Sequence, residues 1–331
     1  MPSLERDSKR IVIAGASSLL GAELRSLLEE SRFAAWDFRL VDEEIAAGIL
    51  TEAGGEPAVI QPVEEESFSK ARLVFFTGSA EFTRANLPAA LESGATVVDL
   101  SGGGLGATNS SVWFSFRDVL DAKTSLYLIP SAAGTIAGHL LNALGKTGLN
   151  RLGIVFYRPV SEAGRAGIEE LESQCAQLLS FQKMGERVFG TQVAYSLLDR
   201  YGKSSGESLS AVTDRIRREA SAAAGKNLVE PSIQVLHAPV FYGYTFSVIA
   251  ELNSSAKQET LVENLKKAGL QVEEDTAVPL GNLSAAGESA IHVKSPERDP
   301  AHAGTWWLWG AADNIRLPAW NAVKLAEKLL P

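Results

Sequence analysis

The segment Ala14-Gly15-Ala16-Ser17-Ser18-Leu19-Leu20-Gly21 follows a short apolar run and opens a helical period. Gly15 and Gly21 stand at the outer positions of a G-x-x-G-x-x-G pattern, with Ser18 where the middle glycine would be. Gly15 permits a tight strand-to-helix turn, Gly21 permits close helix–sheet packing, and the backbone N–H groups of Ser17 to Leu20 at the helix start could face a pyrophosphate. A strand-to-helix turn that holds no ligand would use the same residues, so both readings stand. Just past the next strand come Asp42, Glu43 and Glu44. A carboxylate there can accept the ribose hydroxyls of NAD and repels the extra phosphate of NADP. An acidic turn in an acidic protein is the alternative.

Other reactive side chains are sparse. The single cysteine, Cys175, shares an apolar stripe with Ile168, Leu171, Leu178 and Leu179. A lone cysteine in such a stripe is read as a small core residue. The four histidines, His139, His237, His292 and His302, show no spacing that pairs them with thiols or carboxylates around a metal. Tyr244 falls in phase with the apolar side of its segment, where burial with a satisfied hydroxyl is the default. Trp306, Trp307 and Trp309 fit a strand with large residues on both faces, between layers or at a subunit contact.

The elements that would carry these groups change character along the chain. Strands are expected at Ile11–Ala14, Phe38–Val41, Leu73–Thr77, Thr96–Leu100 and Leu126–Ile129, alternating with helices such as Leu20–Glu30. That alternation predicts a doubly wound parallel sheet. From Leu152 the pattern shifts to a strand, Leu152–Arg158, and a long helix, Gly164–Lys183. Strands Ile233–Val240 and Tyr244–Leu252 follow, separated by a hairpin-length turn. They indicate a second, α+β domain with an antiparallel or mixed sheet. Gly202–Gly206 reads as a loop. The last helix, with Ala319, Ala322, Val323, Ala326, Leu329 and Leu330 in phase, needs an apolar surface to cover.

Composition narrows the class. The 331 residues suit about two domains, with 45% hydrophobic and 21% charged residues. Thirty-one basic against forty acidic residues give a net charge of -9. That balance argues against nucleic acid as a partner. The most basic stretch, Arg215-Ile216-Arg217-Arg218, is followed at once by Glu219 and reads as a solvated helix face. One cysteine makes no internal disulfide, and Met1–Arg10 is polar and leads straight into a strand, which leaves no room for a signal peptide. No apolar run reaches membrane-spanning length. A cytoplasmic protein with no membrane partner is expected.

Several segments together carry a resemblance. They are the Gly15–Gly21 turn, Val97-Val98-Asp99, and Pro159-Val160-Ser161-Glu162-Ala163-Gly164-Arg165-Ala166-Gly167. Further along come Ala238-Pro239-Val240-Phe241-Tyr242-Gly243, Ala312-Asp313-Asn314-Ile315-Arg316 and Asn321–Glu327. In order and spacing the chain resembles the aspartate-semialdehyde dehydrogenase family from end to end, and within it the usg-like branch that lacks the catalytic cysteine. The resemblance implies a Rossmann-type domain formed by residues 1–135 and 311–331. An α+β dimerisation and substrate domain, residues 136–310, is inserted before the C-terminal helix. It implies NAD or NADP as cofactor, with NAD favoured by the acidic run. Gly15, Ser17, Ser18, Leu19, Leu20, Gly21, Asp42, Gly78 and Asn314 are the matching positions. Asn314 stands where relatives reach the nicotinamide amide, although Leu317 and Pro318 replace the usual Lys and Gly after it.

The family's thioester chemistry requires a cysteine thiolate, a base and cations for the substrate's anionic groups. Here Ala132 or Ala133 occupies the nucleophile position, Tyr244 stands for the base histidine, and His237 stands for the carboxylate-binding arginine. The phosphate segment reads Leu100-Ser101-Gly102-Gly103-Gly104-Leu105, without arginine. The expectation is therefore a homodimer that has lost thioester catalysis. It would act as a dinucleotide-binding or regulatory protein, with an active homologue as a further candidate partner, or hold no dinucleotide at all. An oxidoreductase acting on an aldehyde or oxo group without a thiol, with Tyr244 as proton donor, is the alternative.

Overall fold

The computed structural model describes residues 9–331 apart from 47, 54–55, 65, 118–119, 121–123, 224–228, 254 and 274–277. The polar start of the chain, residues 1–8, thus lies outside the described residues. The chain divides into two compact units, residues 1–131 with 318–331, and residues 132–317.

In the first unit the strands are β1 (Arg10–Ala14), β2 (Asp37–Asp42), the hairpin β3 (Leu50–Ala53) and β4 (Glu56–Val59), β5 (Gln61–Pro62), β6 (Leu73–Phe76), β7 (Thr96–Asp99), β8 (Ser110–Val112) and β9 (Leu126–Leu128). Helices α1 (Leu19–Glu29) and α2 (Ala80–Glu92) connect them. All the pairings of the large sheet are parallel, in the order β5-β2-β1-β6-β7-β9-β8. Its central strands are apolar throughout because both faces are covered. Ile11 and Ile13 pack with Leu24, Leu27 and Leu28 of α1 and with Ala319, Ala322, Val323 and Ala326 of the C-terminal helix. Val12 and Ala14, pointing the other way, pack with Phe82, Leu87 and Ala90 of α2. Strand order reverses between β2 and β6 on either side of β1. Ligands of doubly wound sheets bind in the crevice beyond the strand ends at such a point. Gly15 and Gly78 follow the two strands that meet there.

The second unit contains α3 (Ala132–Leu144), β10 (Leu149–Arg158), α4 (Gly164–Leu179), α5 (Leu209–Ala223), β11 (Ser232–His237), β12 (Tyr244–Leu252), α6 (Gln258–Lys267), β13 (Leu270–Glu273), β14 (Ile291–Lys294), β15 (Glu297–Arg298) and β16 (Thr305–Ala312). Its sheet is mixed, in the order β11-β10-β12-β16-β14-β13, with β15 on β16. Helix α7 (Arg316–Leu329) ends the chain, and its residues from 318 onward belong with the first unit.

Four differences from the sequence reading have physical causes. The segments 232–237 and 244–252 do not form a hairpin, because β10 lies between them, parallel to β11 and antiparallel to β12. Strand β11 stops at His237 rather than Val240, since Pro239 has no N–H to give to a ladder. Helix α4 stops at Leu179 rather than Lys183, with Ser180 as its C-cap and Phe181 at a φ of 55°. Residues 311–317 stay with the second unit because β16 runs on to Ala312.

Alternation along the strands divides the second sheet into two unlike faces. Leu152, Ile154 and Phe156, with Phe246, Val248 and Leu308, form one core under α3, α5 and α6. Phe156 and Phe246 are register partners with ring centroids 6.0 Å apart. The opposite face carries Val155, Tyr157, Ser247, Ile249, Trp307 and Trp309, none of them fully buried. Trp306 is buried while Trp307 is 43% exposed, as period-two alternation demands.

Candidate functional site

Residues 14–21 are held by their own backbone. Gly15 takes a φ of +92°, and a Cβ there would lie 2.1 Å from the Gly78 nitrogen, so only glycine lets the loops after β1 and β6 approach this closely. Gly15 and Ala16 donate N–H bonds to the Val41 carbonyl at 2.9 and 3.2 Å. Ser18 is the N-cap of α1: its hydroxyl accepts from the Gly21 N–H at 2.9 Å and donates to the Thr77 carbonyl at 2.9 Å. The hydroxyl thus does the positioning that a middle glycine would leave undone.

Asp42, read from the sequence as a ribose contact, also orders the turn itself. It is 7% exposed, and its Oδ2 accepts from the Ser17 N–H at 2.8 Å while Oδ1 accepts from the Glu43 N–H at 2.8 Å. The carboxylate orders the turn, with one lone pair left on each oxygen for a further donor. Glu43 and Glu44 are exposed. Among the described residues, the N–H groups of Leu19 and Leu20 are left without an acceptor, and the first turn of α1 has no acidic residue. This is a donor arrangement that fits a pyrophosphate.

After β7 the loop folds inward. Asp99 is fully buried, its Oδ1 accepting from the N–H and hydroxyl of Ser101 and its Oδ2 from the Gly104 N–H at 2.7 Å. These donors face an internal carboxylate, so they are spent before any phosphate could use them.

In the second unit, a polar cluster forms where β10 and β11 end and β12 begins. Arg158 and His237 are register partners, and Tyr244 lies on the same buried face. Arg158 Nη1 donates to the Tyr201 hydroxyl at 2.9 Å, and Nη2 pairs with Glu207 at 2.8 Å. The Tyr244 hydroxyl donates to Glu162 Oε2 at 3.2 Å. Burial alone would lower the Arg158 pKa, but Glu207, Tyr201, Tyr244 and Glu162 together hold it above its ordinary value. Tyr244 is pushed well up by burial and then by Glu162, with Arg158 opposing. A phenol so placed holds its proton, which weakens the case for Tyr244 as a proton donor. His237 is lowered to about 4 by burial and by Arg158, against a backbone contact from Val193, so it is neutral near pH 7.

Asn314 is fully engaged inside the unit. Its Oδ1 accepts from the Gly243 N–H at 2.9 Å, and its Nδ2 donates to Ser161 at 3.1 Å and to Glu162 at 2.9 Å. Ala132 and Ala133 open α3 and are 1% and 0% exposed. Glu219 reaches this first turn: a Cβ on Gly134 would lie 2.1 Å from its Oε2. Glu219 is nearly buried and pairs with Arg215 at 2.8 Å, so the inner side of this stretch is not the solvated helix face expected. Cys175 is only half-buried on α4, at the edge of the core rather than within it, beside the hydroxyl of Tyr195.

The structure therefore places both His237 and Tyr244 near Arg158, an arginine that sequence reasoning missed. Arg158, Tyr201 and Glu207 had no motif to mark them, and Glu162 and Glu219 were named only as members of longer segments. The available signal was phase, since Arg158 continues the inward alternation of Leu152, Ile154 and Phe156.

A parallel sheet with a strand-to-helix turn at its reversal point, joined to a mixed-sheet unit, defines a two-domain protein with a dinucleotide-type fold. Residues 10–103 match the family model described as semialdehyde dehydrogenase, NAD binding domain. Residues 140–317 match semialdehyde dehydrogenase, dimerisation domain. The chain belongs to the semialdehyde dehydrogenase family. It is 29% identical over 326 residues to a USG-1 protein homolog of Azotobacter vinelandii, covering 97% of each chain. It is 26% identical over 340 residues to an aspartate-semialdehyde dehydrogenase of Shewanella violacea, again over 97% of both. Among solved structures, a probable aspartate-semialdehyde dehydrogenase from Pseudomonas aeruginosa superposes with a TM-score of 0.86 at 27% identity, covering 97% of this chain and 98% of that one.

Proposed function

We propose that this member of the family binds a nicotinamide dinucleotide as a homodimer and has lost thioester catalysis, acting as a binding or regulatory protein of the cytoplasm. The observation that carries the reading is the first turn of α3, where Ala132 and Ala133 are buried methyl groups. A methyl group cannot attack an acyl carbon. The anion clamps support the same reading: neutral His237 replaces a guanidinium, and Ser101 and Gly104 turn their donors onto Asp99. Steady-state assay of the purified chain with aspartate semialdehyde, phosphate and either NAD or NADP tests it. The expected result is no turnover; rates of about 1 per second or more overturn it.

The dinucleotide would lie on the Gly15–Gly21 turn, with Leu19 and Leu20 donating to its pyrophosphate and Gly78 leaving room beside them. Bound there, it supplies hydride-transfer chemistry. Asp42, Glu43 and Glu44 favour NAD, because a 2′-phosphate would meet three carboxyl groups. Calorimetric titration with both cofactors checks the preference, and tighter NADP binding reverses it.

For the dimer, the open face of the second sheet is the natural surface. Two grooves of about 570 and 550 Å³ cross it, sharing Ser247 and Trp307. The face exposes Trp307 and Ile249, large apolar side chains of the kind that favour protein contact over water.

A further inference from the structure

Arg158 is 2% exposed, yet its donors are unevenly used. Nη1 serves Tyr201 and Nη2 serves Glu207, while Nε is buried and has no hydrogen-bond partner; the nearest acidic oxygen, on Glu162, is 4.0 Å away. Nε and Nη2 form one edge of the guanidinium, the edge that takes a carboxylate through two parallel hydrogen bonds. A donor of a buried cation left unpaired carries the full cost of its desolvation. Glu207 satisfies only half of this edge.

Glu207 is also the replaceable partner. Its side chain is 43% exposed, whereas that of Glu162 is 19% exposed and already accepts from Tyr244 and Asn314. It follows Lys203, Ser204 and Gly206, all exposed, and can return to water at little solvation cost. Beside the guanidinium, the rings of Phe189, Tyr201 and His237 lie with centroids 4.9–5.7 Å apart and line its approach with aromatic surface.

We propose that the Nε–Nη2 edge of Arg158 is a binding site for a small carboxylate ligand, with Glu207 as the internal occupant that the ligand displaces. The exchange conserves charge: one carboxylate replaces another on the same guanidinium, and Glu162 stays in place. The incoming group would bond both Nε and Nη2, where Glu207 reaches only Nη2. This proposal goes beyond the reading above, since it requires neither a dinucleotide nor turnover.

Succinate titrated calorimetrically into the full chain, without cofactor, is the test, with succinamide as the uncharged control. Glu207→Gln removes the internal competitor and should tighten succinate binding about tenfold, by lifting the cost of displacing a bound state. Succinate should also speed amide hydrogen exchange across residues 202–208 of the wild-type chain. Glu207→Gln should show that faster exchange with no ligand added. Arg158→Gln should abolish binding. If that variant fails to fold, the Glu207→Gln comparison and the exchange data decide alone. Equal succinate affinity in wild type and Glu207→Gln, binding to neither, or equal binding of succinamide overturns the proposal. None of these outcomes bears on whether the chain turns over a semialdehyde, so the two readings fail separately.

Discussion

His139 and His237 are both buried and neutral, and both carry a pH dependence. Burial lowers each to about 4; a bond from His139 Nδ1 to the Ala268 carbonyl at 2.7 Å and, for His237, a backbone contact from Val193 only partly oppose it. Unfolded, they titrate near ~6.5. Between these values the unfolded chain binds protons that the folded chain refuses, so stability falls as pH drops from about 6.5 toward 4, and neither residue matters above that window. Each residue costs roughly 3 kcal/mol at most at the acid end. Urea midpoints at about pH 7 and pH 4.5 check this. A double His139→Gln/His237→Gln chain should lose less stability over that interval than the wild type, and equal losses would refute the assignment. Restoring a thiol alone should do little at this scale. Ala132→Cys or Ala133→Cys is expected to show no semialdehyde turnover if, as proposed, the base and anion clamps are also lost; a measurable rate in either variant would mean the rest of the machinery survives.

The strands of the second sheet are matched in pairs of side chains rather than one by one. Gly310 lies opposite Phe246 across β12 and β16, and a Cβ on it would lie 2.2 Å from the Phe246 ring. Gly310→Ala should therefore overpack the core and cost about 1–3 kcal/mol. Adding Phe246→Leu should recover part of that loss, since the two substitutions relieve the same contact. Thermal melts of the two single variants and the double would show this as a departure from additivity; strict additivity would mean the ring and Gly310 do not share the space. In the first unit, Gly15→Ala meets both a positive φ and the Gly78 backbone. It should weaken dinucleotide binding and lower the melting temperature together, as calorimetry and a thermal melt would show.

At the scale of the whole molecule, the uncovered sheet face is the surface proposed for dimerisation. Trp307 is 43% exposed with its indole N–H bonded to Asp299 at 2.8 Å, so its ring is held against the sheet. Ile249 beside it is 36% exposed. Trp307→Glu would place a charge at the centre of this face and should weaken dimerisation by tenfold or more, about 1.4 kcal/mol. Sedimentation equilibrium measures this directly, and an unchanged dimer would move the interface elsewhere. No helix among the described residues is long and apolar enough to cross a membrane.

Local rules in the sequence determined a good deal. Apolar runs such as Ile11–Ala14 specified strands covered on both faces, because period and hydrophobicity act over a few residues. The phase of Ala319, Ala322, Val323 and Ala326 likewise specified one buried helix face. Order and spacing along the chain singled out Ala132, Ala133, His237 and Tyr244 as candidate site positions. What neighbours in space decide was not legible. The insertion of β10 between β11 and β12, the use of Asp42 to hold Ser17, and the meeting of Arg158 with Glu207 all join residues distant in sequence. Hydrogen bonds and ion pairs form only where the folded backbone brings donor and acceptor within about 3 Å. No window of sequence records that distance.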